Sequence, residues 1–379
     1  MCLCYPEGVW FRKGLFARLL ASPNPSRDEI PIGNANGFVP YHLPHPHRYP
    51  FQMDLAEVVG PERLDAARAT GSYACYFLSD VGGVVDARPQ QAVAAAMCAL
   101  SADARLYDQV ARPCGGTLFT YITGDIVYLR GELSQYEAQF HAPYRAYDRP
   151  ILAVPGNHDG GPAPSGTTLE GFLETFCAPE SLSWDDLDPS TRRHVVSQPN
   201  MYWTLEAPWL RIVGLYTNVP EGGAVNTQQY RWFRDQMARP HPDQHLVVAL
   251  HHPPLSADRV HGSSRAMLDL VHDEAKRAGC RLVISGHAHS YQRFEHNGVA
   301  YVVNGGGGYH ELHELAPRWS VGTPRPVAAH TQDHSFVHLT VTPDALVLRA
   351  IAVPLAFAPD GLSPLLIDEI AISSPVAVG

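Results

Sequence analysis

Five short apolar runs, each followed within a few residues by side chains of metal-binding type, constrain this chain more than any other feature. The clearest is Ile151–Val154, typical of a buried strand, which leads into Gly156-Asn157-His158-Asp159. A capped turn would explain that motif if it stood alone. Similar runs precede four further clusters: Asp80, Gly124-Asp125, His251 and Gly286-His287-Ala288-His289. Because open sheets bind ligands at the carboxyl ends of their strands, the clusters predict one shared site.

The segments between the clusters predict alternating strands and helices from Ser72 onwards. Helices are expected to begin at Pro89 and at the N-caps Asn226 and Ser264. The dipeptide Asn297-Gly298 predicts a two-residue hairpin, and two antiparallel strands should follow it near the C-terminus.

Composition narrows the class of protein. The 379 residues suffice for one large domain or two, and 45% apolar with 17% charged residues is typical of a globular protein. A net charge of -10 and a pI near 6.0 argue against a nucleic-acid or anionic-membrane surface. No apolar run approaches the ~18 residues of a membrane span.

Cysteine usage and the N-terminus predict the compartment. The seven cysteines are scattered, odd in number and without a CxxC pair, which indicates reduced thiols and not a disulfide framework. Arg12, Lys13 and Arg18 interrupt the first apolar stretches, so no secretory signal is predicted. We therefore expect a cytoplasmic protein.

The clusters supply oxygen and imidazole donors and no thiolate, a set that favours Fe, Mn, Zn or Mg over a Cys-type zinc site. Asp125 is the best candidate for a carboxylate that bridges two ions, because Gly124 before it allows a close approach of the backbone. Two ions about 3.5–4 Å apart could clamp a phosphate and activate a water between them.

The motifs resemble those of the calcineurin-like metallophosphoesterase superfamily, and specifically its purple acid phosphatase branch. They are Asp80-Val81-Gly82, Gly124-Asp125-Ile126-Val127-Tyr128, Gly156-Asn157-His158-Asp159, Val248-Ala249-Leu250-His251 and Gly286-His287-Ala288-His289. Most of the superfamily carries Asp-x-His in the first motif, whereas this chain has Gly82 there and offers Tyr128 instead. That exchange distinguishes the purple branch, so the first two motifs support one another.

The resemblance implies two metal ions per chain. The implied ligands are Asp80, Tyr128 and His289 for the first ion, Asn157, His251 and His287 for the second, and Asp125 for both. The first site would suit Fe(III), because a phenolate is a hard, charged donor, and the second would hold Fe, Zn or Mn. A metal-bound hydroxide would attack phosphorus in line, without a covalent enzyme intermediate.

The resemblance also gives catalytic roles to His158, Asp159 and His261. If Asn157 is a ligand, as the resemblance implies, the neighbouring His158 cannot easily be one, and it is expected to donate to the phosphate or protonate the leaving group, with Asp159 orienting its ring. The family usually has Glu where this chain has Asp159. His261 lies ten residues after His251, where the branch often has a phosphate-contacting His, although 20 histidines make coincidence an alternative.

Other residues keep two readings. His252 could replace His251 as a ligand, but the family motif ends at His251. Arg130 resembles the phosphate-binding Arg that follows the second motif in the protein Ser/Thr phosphatases of the superfamily, but it is displaced by one residue, so a structural role is expected. His310 and His313 either line the pocket or are ordinary loop residues.

The resemblance covers roughly residues 72–355 and implies a four-layer sandwich of mixed α and β structure, with two central mixed β-sheets flanked by helices. Residues 1–71 are expected to form an irregular extension, and residues 356–379 a C-terminal tail. In the extension, a surface wrap is favoured over a lid or an auxiliary metal site made by His42, His45 and His47.

Three functions follow from this reading. The first is hydrolysis of phosphate monoesters, with a small-molecule phosphate ester as substrate. The second is a phosphodiesterase that acts on cyclic nucleotides or other diesters, since the superfamily moves between the two with pocket shape. The third is a non-catalytic metal-binding scaffold. The sequence predicts no oligomeric state.

Overall fold

The computed structural model describes residues 43–102, 116–160, 162–163, 166–167, 169–178, 196–217, 223–317, 325–355 and 364–373. Within them the α-helices are α1 (Leu55–Val59), α2 (Pro61–Thr70), α3 (Arg88–Ala102), α4 (Glu170–Phe176), α5 (Thr227–Met237) and α6 (Arg265–Arg277). The strands are β1 (Gln52–Asp54), β2 (Tyr73–Leu78), β3 (Thr117–Ile122), β4 (Ile151–Ala153), β5 (Pro162–Ala163), β6 (Gly166–Thr167), β7 (Trp203–Ala207), β8 (Leu210–Gly214), β9 (His245–Ala249), β10 (Leu282–Ser285), β11 (Tyr291–His296), β12 (Val299–Asn304), β13 (Ala328–His330), β14 (His334–Val341), β15 (Ala345–Val353) and β16 (Leu365–Ser373).

Two mixed sheets form the centre of the fold. The six-stranded sheet has the order β16-β15-β14-β2-β3-β4, in which β2, β3 and β4 are parallel. The eight-stranded sheet has the order β1-β7-β8-β9-β10-β12-β11-β13, in which β8, β9, β10 and β12 are parallel. Strands β5 and β6 form a separate ribbon.

Among the described residues, one hydrophobic core joins the facing sides of the two sheets. Tyr121 of β3 stacks on Trp203 of β7 with ring centroids 5.8 Å apart, and Asn304 of β12 donates to the carbonyl of Phe77 on β2 at 3.4 Å. Helix α3 packs on β14 and β15, while α5 and α6 contact each other and bury Phe233 and Val271 in the core. The predicted four-layer sandwich is therefore confirmed.

The helix starts and the hairpin turn lie at or within one residue of the positions predicted from the sequence. Asn226 Oδ1 accepts the N–H of Gln229 at 2.9 Å, and Ser264 Oγ accepts that of Met267 at 3.3 Å, so both N-caps are confirmed. Helix α3 begins at Arg88, one residue before the predicted start. The turn Asn297-Gly298, with φ of 51° and 80°, joins β11 to β12 as predicted.

The ends of the predicted catalytic domain differ from the ends of the sheets. Residues 52–70, assigned to an irregular extension, contribute β1, α1 and α2, and β1 pairs with β7. Strand β16, assigned to the tail, pairs with β15. A strand of three residues carries almost no periodicity, and β16 leaves most of its side chains exposed or half-buried, so neither showed a buried-strand pattern.

Several predictions concern residues outside the described ranges: His42 and all of the extension before it, the cysteines at positions 2, 4 and 114, and most of the insertion between 181 and 198. His45 is described, and its Nε2 lies 2.9 Å from the carbonyl of Cys177. This contact fits a surface wrap. No helix among the described residues has both the length and the apolar character to cross a membrane.

Candidate metal centre

All five motifs lie just after the strands predicted to deliver them. Three follow β2, β3 and β4 of one sheet, and two follow β9 and β10 of the other. The site therefore forms where the carboxyl ends of both sheets meet, and it is a product of the whole fold.

One group of donors gathers around Asp125. His251 Nε2 lies 3.3 Å from Asp125 Oδ2 and 2.9 Å from Asn157 Oδ1. Ligand atoms of Asp125, His251 and His287 all lie within 4.8 Å of one another, and all three residues are buried. On the other side of its ring, His251 Nδ1 is 2.9 Å from the carbonyl of Thr123, which directs Nε2 toward the group.

A second group gathers around Asp80. Tyr128 donates its phenol proton to Asp80 Oδ1 at 3.0 Å, and His289 Nε2 lies 3.3 Å from both oxygens of that contact. His289 Nδ1 is held 2.9 Å from the carbonyl of Glu311, so this imidazole also presents Nε2 to the site.

Backbone contacts fix the two groups to each other. The N–H of Asp80 donates to the carbonyl of Gly124 at 3.0 Å, and the N–H of His287 donates to Asp80 Oδ2 at 2.8 Å. Asp80, Asp125 and His287 have φ of 59°, 53° and 68°, the left-handed region that L-residues rarely adopt. Such strain is concentrated at functional sites in proteins.

Two glycines leave the space that the donors use. A Cβ on Gly156 would lie 2.1 Å from Asp125 Oδ1, so no side chain fits there. A Cβ on Gly82 would lie 2.9 Å from Cδ2 of Tyr128 and 2.7 Å from Oε1 of Gln139. The Tyr128 ring thus occupies the space that a His in the first motif would need.

The charges at the Asp125 group compensate one another. Burial by itself would raise the pKa of Asp125, but the imidazoles of His251 and His158 hold it well below its usual range. Burial would lower the pKa of His251, whereas Asp125 raises it to about 9. Burial, with His261 and His251, lowers the pKa of His287, which favours the neutral ring that a metal ligand requires.

The three predicted catalytic residues lie at the site, but one has a different role. His158 Nδ1 is 2.7 Å from the carbonyl of Leu129, so the prediction that Asp159 orients this ring is wrong. Asp159 instead accepts backbone N–H groups from the motif that contains Asp125 and from its own motif. The donors are Ile126 at 3.0 Å, Val127 at 3.1 Å and Gly156 at 2.9 Å.

His261 lies beside the group of donors around Asp125. Its ring centroid is 4.0 Å from that of His287, and both N–H groups at Val260 and His261 donate to Asp258 Oδ1. His313 stacks on His289 at 4.2 Å, and its Nδ1 is 3.3 Å from Asp258 Oδ2. Of the two readings for His313, the structure therefore favours the one that places it against the site.

Gln139 is a residue of the site that no sequence motif indicated. Its Oε1 accepts the N–H of Tyr128 at 2.8 Å, and its Nε2 donates to the Tyr128 carbonyl. Gln90 Nε2 in turn donates to the Gln139 carbonyl at 2.5 Å. A glutamine in a short helical turn carries no signal for this role, since only the folded chain brings it to the backbone of Tyr128.

Two other residues considered in the sequence analysis are described as well. Arg130 is exposed, and Thr217 Oγ1 lies 2.9 Å from His252 Nδ1.

Comparison with known proteins agrees with this geometry. The model of the calcineurin-like phosphoesterase family matches residues 76–291, more than half of the chain, so the chain belongs to that family. Within it, the chain is similar to purple acid phosphatase 21 of Arabidopsis thaliana, with 24% identity over 238 residues that cover 56% of this chain and 50% of that protein. The chain thus spans about half the length of this curated relative.

Two solved structures share the fold. Purple acid phosphatase PPD1 from yellow lupin seeds aligns with a TM-score of 0.57 and 17% identity, over 80% of this chain and 54% of that one. GAP50, the anchor in the inner membrane complex of Plasmodium, aligns with a TM-score of 0.54 and 14% identity, over 78% and 89%. At such identities the likeness concerns the fold alone, and the resemblance to purple acid phosphatases depends on the motifs and the curated relative.

Proposed function

We propose that the protein hydrolyses phosphate monoesters at a dinuclear metal centre. The observation that carries the proposal is the convergence of two donor groups on the buried carboxylates Asp80 and Asp125. The donors are oxygen and imidazole nitrogen, and the imidazoles of His251 and His289 are oriented through their second nitrogen. These features fit two cations of the Fe, Mn or Zn type.

The ligand sets proposed from the sequence are retained. They are Asp80, Tyr128 and His289 for one ion, Asn157, His251 and His287 for the other, and Asp125 between them. Burial together with Asp80 and Asp125 raises the pKa of Tyr128 well above its usual value. A phenolate there needs a strongly charged cation nearby, so we assign Fe(III) to the Tyr128 site and Fe, Zn or Mn to the second.

When bound, two such cations would supply Lewis-acid stabilisation of the charge that develops on the phosphate and a nucleophile from water. The side chains supply the rest. His158 packs on Tyr128 with ring centroids 4.3 Å apart, and its Nδ1–H donates to the carbonyl of Leu129. This tautomer reserves Nε2 for the substrate, and in the protonated ring Nε2 can give its proton to the leaving alkoxide.

His261 and Asp159 act in different ways. We propose that His261, beside His287 and half-buried, contacts the phosphate oxygens directly. Asp159 is a positioning residue: it ties the loop after Asp125 to Gly156 and so sets the direction of the Asp125 carboxylate. A shorter side chain than the family's usual Glu fits this backbone role.

The proposal is tested by metal content and substrate choice. Protein purified without chelator should contain two ions per chain and cleave an aryl phosphate monoester faster than the matched aryl diester. A faster diester rate would favour the phosphodiesterase alternative. One ion or none per chain, with no hydrolysis after addition of iron, zinc or manganese, would favour a scaffold and refute the proposal.

A further inference from the structure

A second cluster of donors lies where helix α6 meets the hairpin of β11 and β12. His272 of α6 and His296 of β11 have ring centroids 4.9 Å apart. Asn297, the first residue of the hairpin turn, has its Nδ2 3.2 Å from His272 Nε2 and 3.1 Å from His296 Nε2. Strand β11 begins two residues after His289, so this cluster lies roughly 20 Å along the strand from the metal centre.

The contacts of Asn297 reveal where the two rings point. An amide NH2 group has two protons, and here it faces two imidazole nitrogens at once, so both Nε2 lone pairs are directed at the same place. On the other side of its ring, His272 Nδ1 lies 2.6 Å from the phenol oxygen of Tyr301. With the proton on Nδ1 and directed to Tyr301, Nε2 of His272 carries a lone pair that faces Asn297 and can bind a metal ion when that amide rotates away. Metal-binding histidines are oriented in this way.

We propose that His272 and His296 bind one divalent transition-metal ion, of the Zn²⁺, Ni²⁺ or Cu²⁺ class, through their Nε2 atoms. Imidazole suits these ions, whereas Mg²⁺ and Ca²⁺ prefer oxygen. Asn297 is exposed, so its amide can rotate and offer Oδ1 as a third ligand, while water completes the coordination.

The surroundings are compatible with a bound cation. Burial and the neighbouring His296 lower the pKa of His272, which keeps its ring neutral at neutral pH, as a ligand must be. Asp273 acts in the opposite direction and raises the pKa of His272, while Lys276 lowers it. An ion held by α6 and by the hairpin would link two elements. Because it would bind the native state and not the unfolded chain, it would stabilise the fold.

The test is a calorimetric titration of the protein with its dinuclear centre already filled. One further Zn²⁺ ion should bind per chain, and Mg²⁺ should not bind at this site. His272→Ala and His296→Ala should each weaken this binding at least 10-fold, and Tyr301→Phe should weaken it by about 10-fold or more through loss of ring orientation. His241→Ala, at a half-buried histidine whose Nδ1 contacts the carbonyl of Arg239, is the matched control and should bind as the wild type does.

Thermal unfolding gives a second readout that does not depend on activity. Zn²⁺ should raise the Tm of the wild type and of His241→Ala, and should leave that of His296→Ala unchanged. Equal Tm values of wild type and variants without Zn²⁺ establish that the variants fold. If His272→Ala does not fold, the comparison of His296→Ala with the wild type tests the site. Binding of the extra Zn²⁺ that survives both histidine substitutions, or that Mg²⁺ matches, would overturn the proposal and indicate adventitious binding.

Discussion

Replacement of His338 by Gln should flatten the loss of folding stability on acidification. His338 lies on β14 in the middle of the six-stranded sheet, with only 3% of its surface exposed. It faces Tyr76 of β2, with ring centroids 5.6 Å apart, and Arg349 of β15 is its cross-strand partner. Burial, and next the Arg349 charge, lowers the pKa of His338 to about 4.

The sign and size of the effect follow from this pKa. Unfolded, His338 titrates near 6.5, so between pH 6.5 and pH 4 the unfolded chain binds a proton that the folded chain does not. Stability therefore falls as the pH falls, by roughly 2 kcal/mol at pH 5 and roughly 3 kcal/mol once both states are protonated.

Urea unfolding at pH 7.5, 6, 5 and 4.5 gives the free energy of unfolding of the wild type and of His338→Gln. Other buried histidines with lowered pKa, such as His245 and His334, contribute equally to both proteins, so the difference between the two curves isolates His338. Between pH 7.5 and pH 5, the free energy of unfolding of the wild type should fall by roughly 2 kcal/mol more than that of the variant. Parallel curves would mean that His338 is protonated in the fold or that solvent reaches it, and would refute the reasoning.

Three further predictions concern the metal centre. Asp125→Asn removes one charge from the carboxylate between the two donor groups, so bound metal, measured by elemental analysis, and turnover should both collapse; two tightly bound ions at wild-type rate would contradict the shared position. His158→Ala should keep the metals and lower kcat by ~10²–10⁴-fold, with a smaller loss for good leaving groups; a uniform loss across an aryl phosphate series would exclude proton donation. Tyr128→Phe should keep the fold by circular dichroism and lose a visible absorption band of the iron-loaded protein; an unchanged spectrum would exclude Tyr128 as a ligand.

The sequence was most informative where structure is local. Each motif follows its own strand within a few residues, so an apolar run and the polar residues after it could be interpreted without knowing the partners of the strand. Asp125 and His251 are far apart in sequence and meet at 3.3 Å because β3 and β9 end at the same edge of the two sheets. The rule that ligands bind at the carboxyl ends of strands predicted one shared site, and the resemblance supplied the fold, since apolar runs alone do not give the strand order.

The wrong and the missed assignments concern residues whose roles depend on tertiary contacts. Asp159 was predicted to orient the imidazole of the adjacent His158. Its partners include the amides of Ile126 and Val127, more than 30 residues earlier. Gln139 holds the backbone of Tyr128, a contact made by atoms that every residue has. A side chain that binds backbone leaves no pattern in the partner's sequence, so such roles need the folded chain.

Fold and site give separate evidence about function in this family. The core that joins the two sheets is built from apolar side chains and contains none of the proposed metal ligands, so the sandwich can persist whether or not the ligands do. Likeness of fold to a phosphatase and to an anchor protein is therefore compatible with either role. The ligand region differs, because the left-handed backbone at Asp80, Asp125 and His287 costs of order 1–3 kcal/mol at each residue. A scaffold that binds no metal would gain nothing from that strain or from two buried carboxylates, whereas a metal centre uses both to place its ligands, so this asymmetry favours metal binding over an empty scaffold.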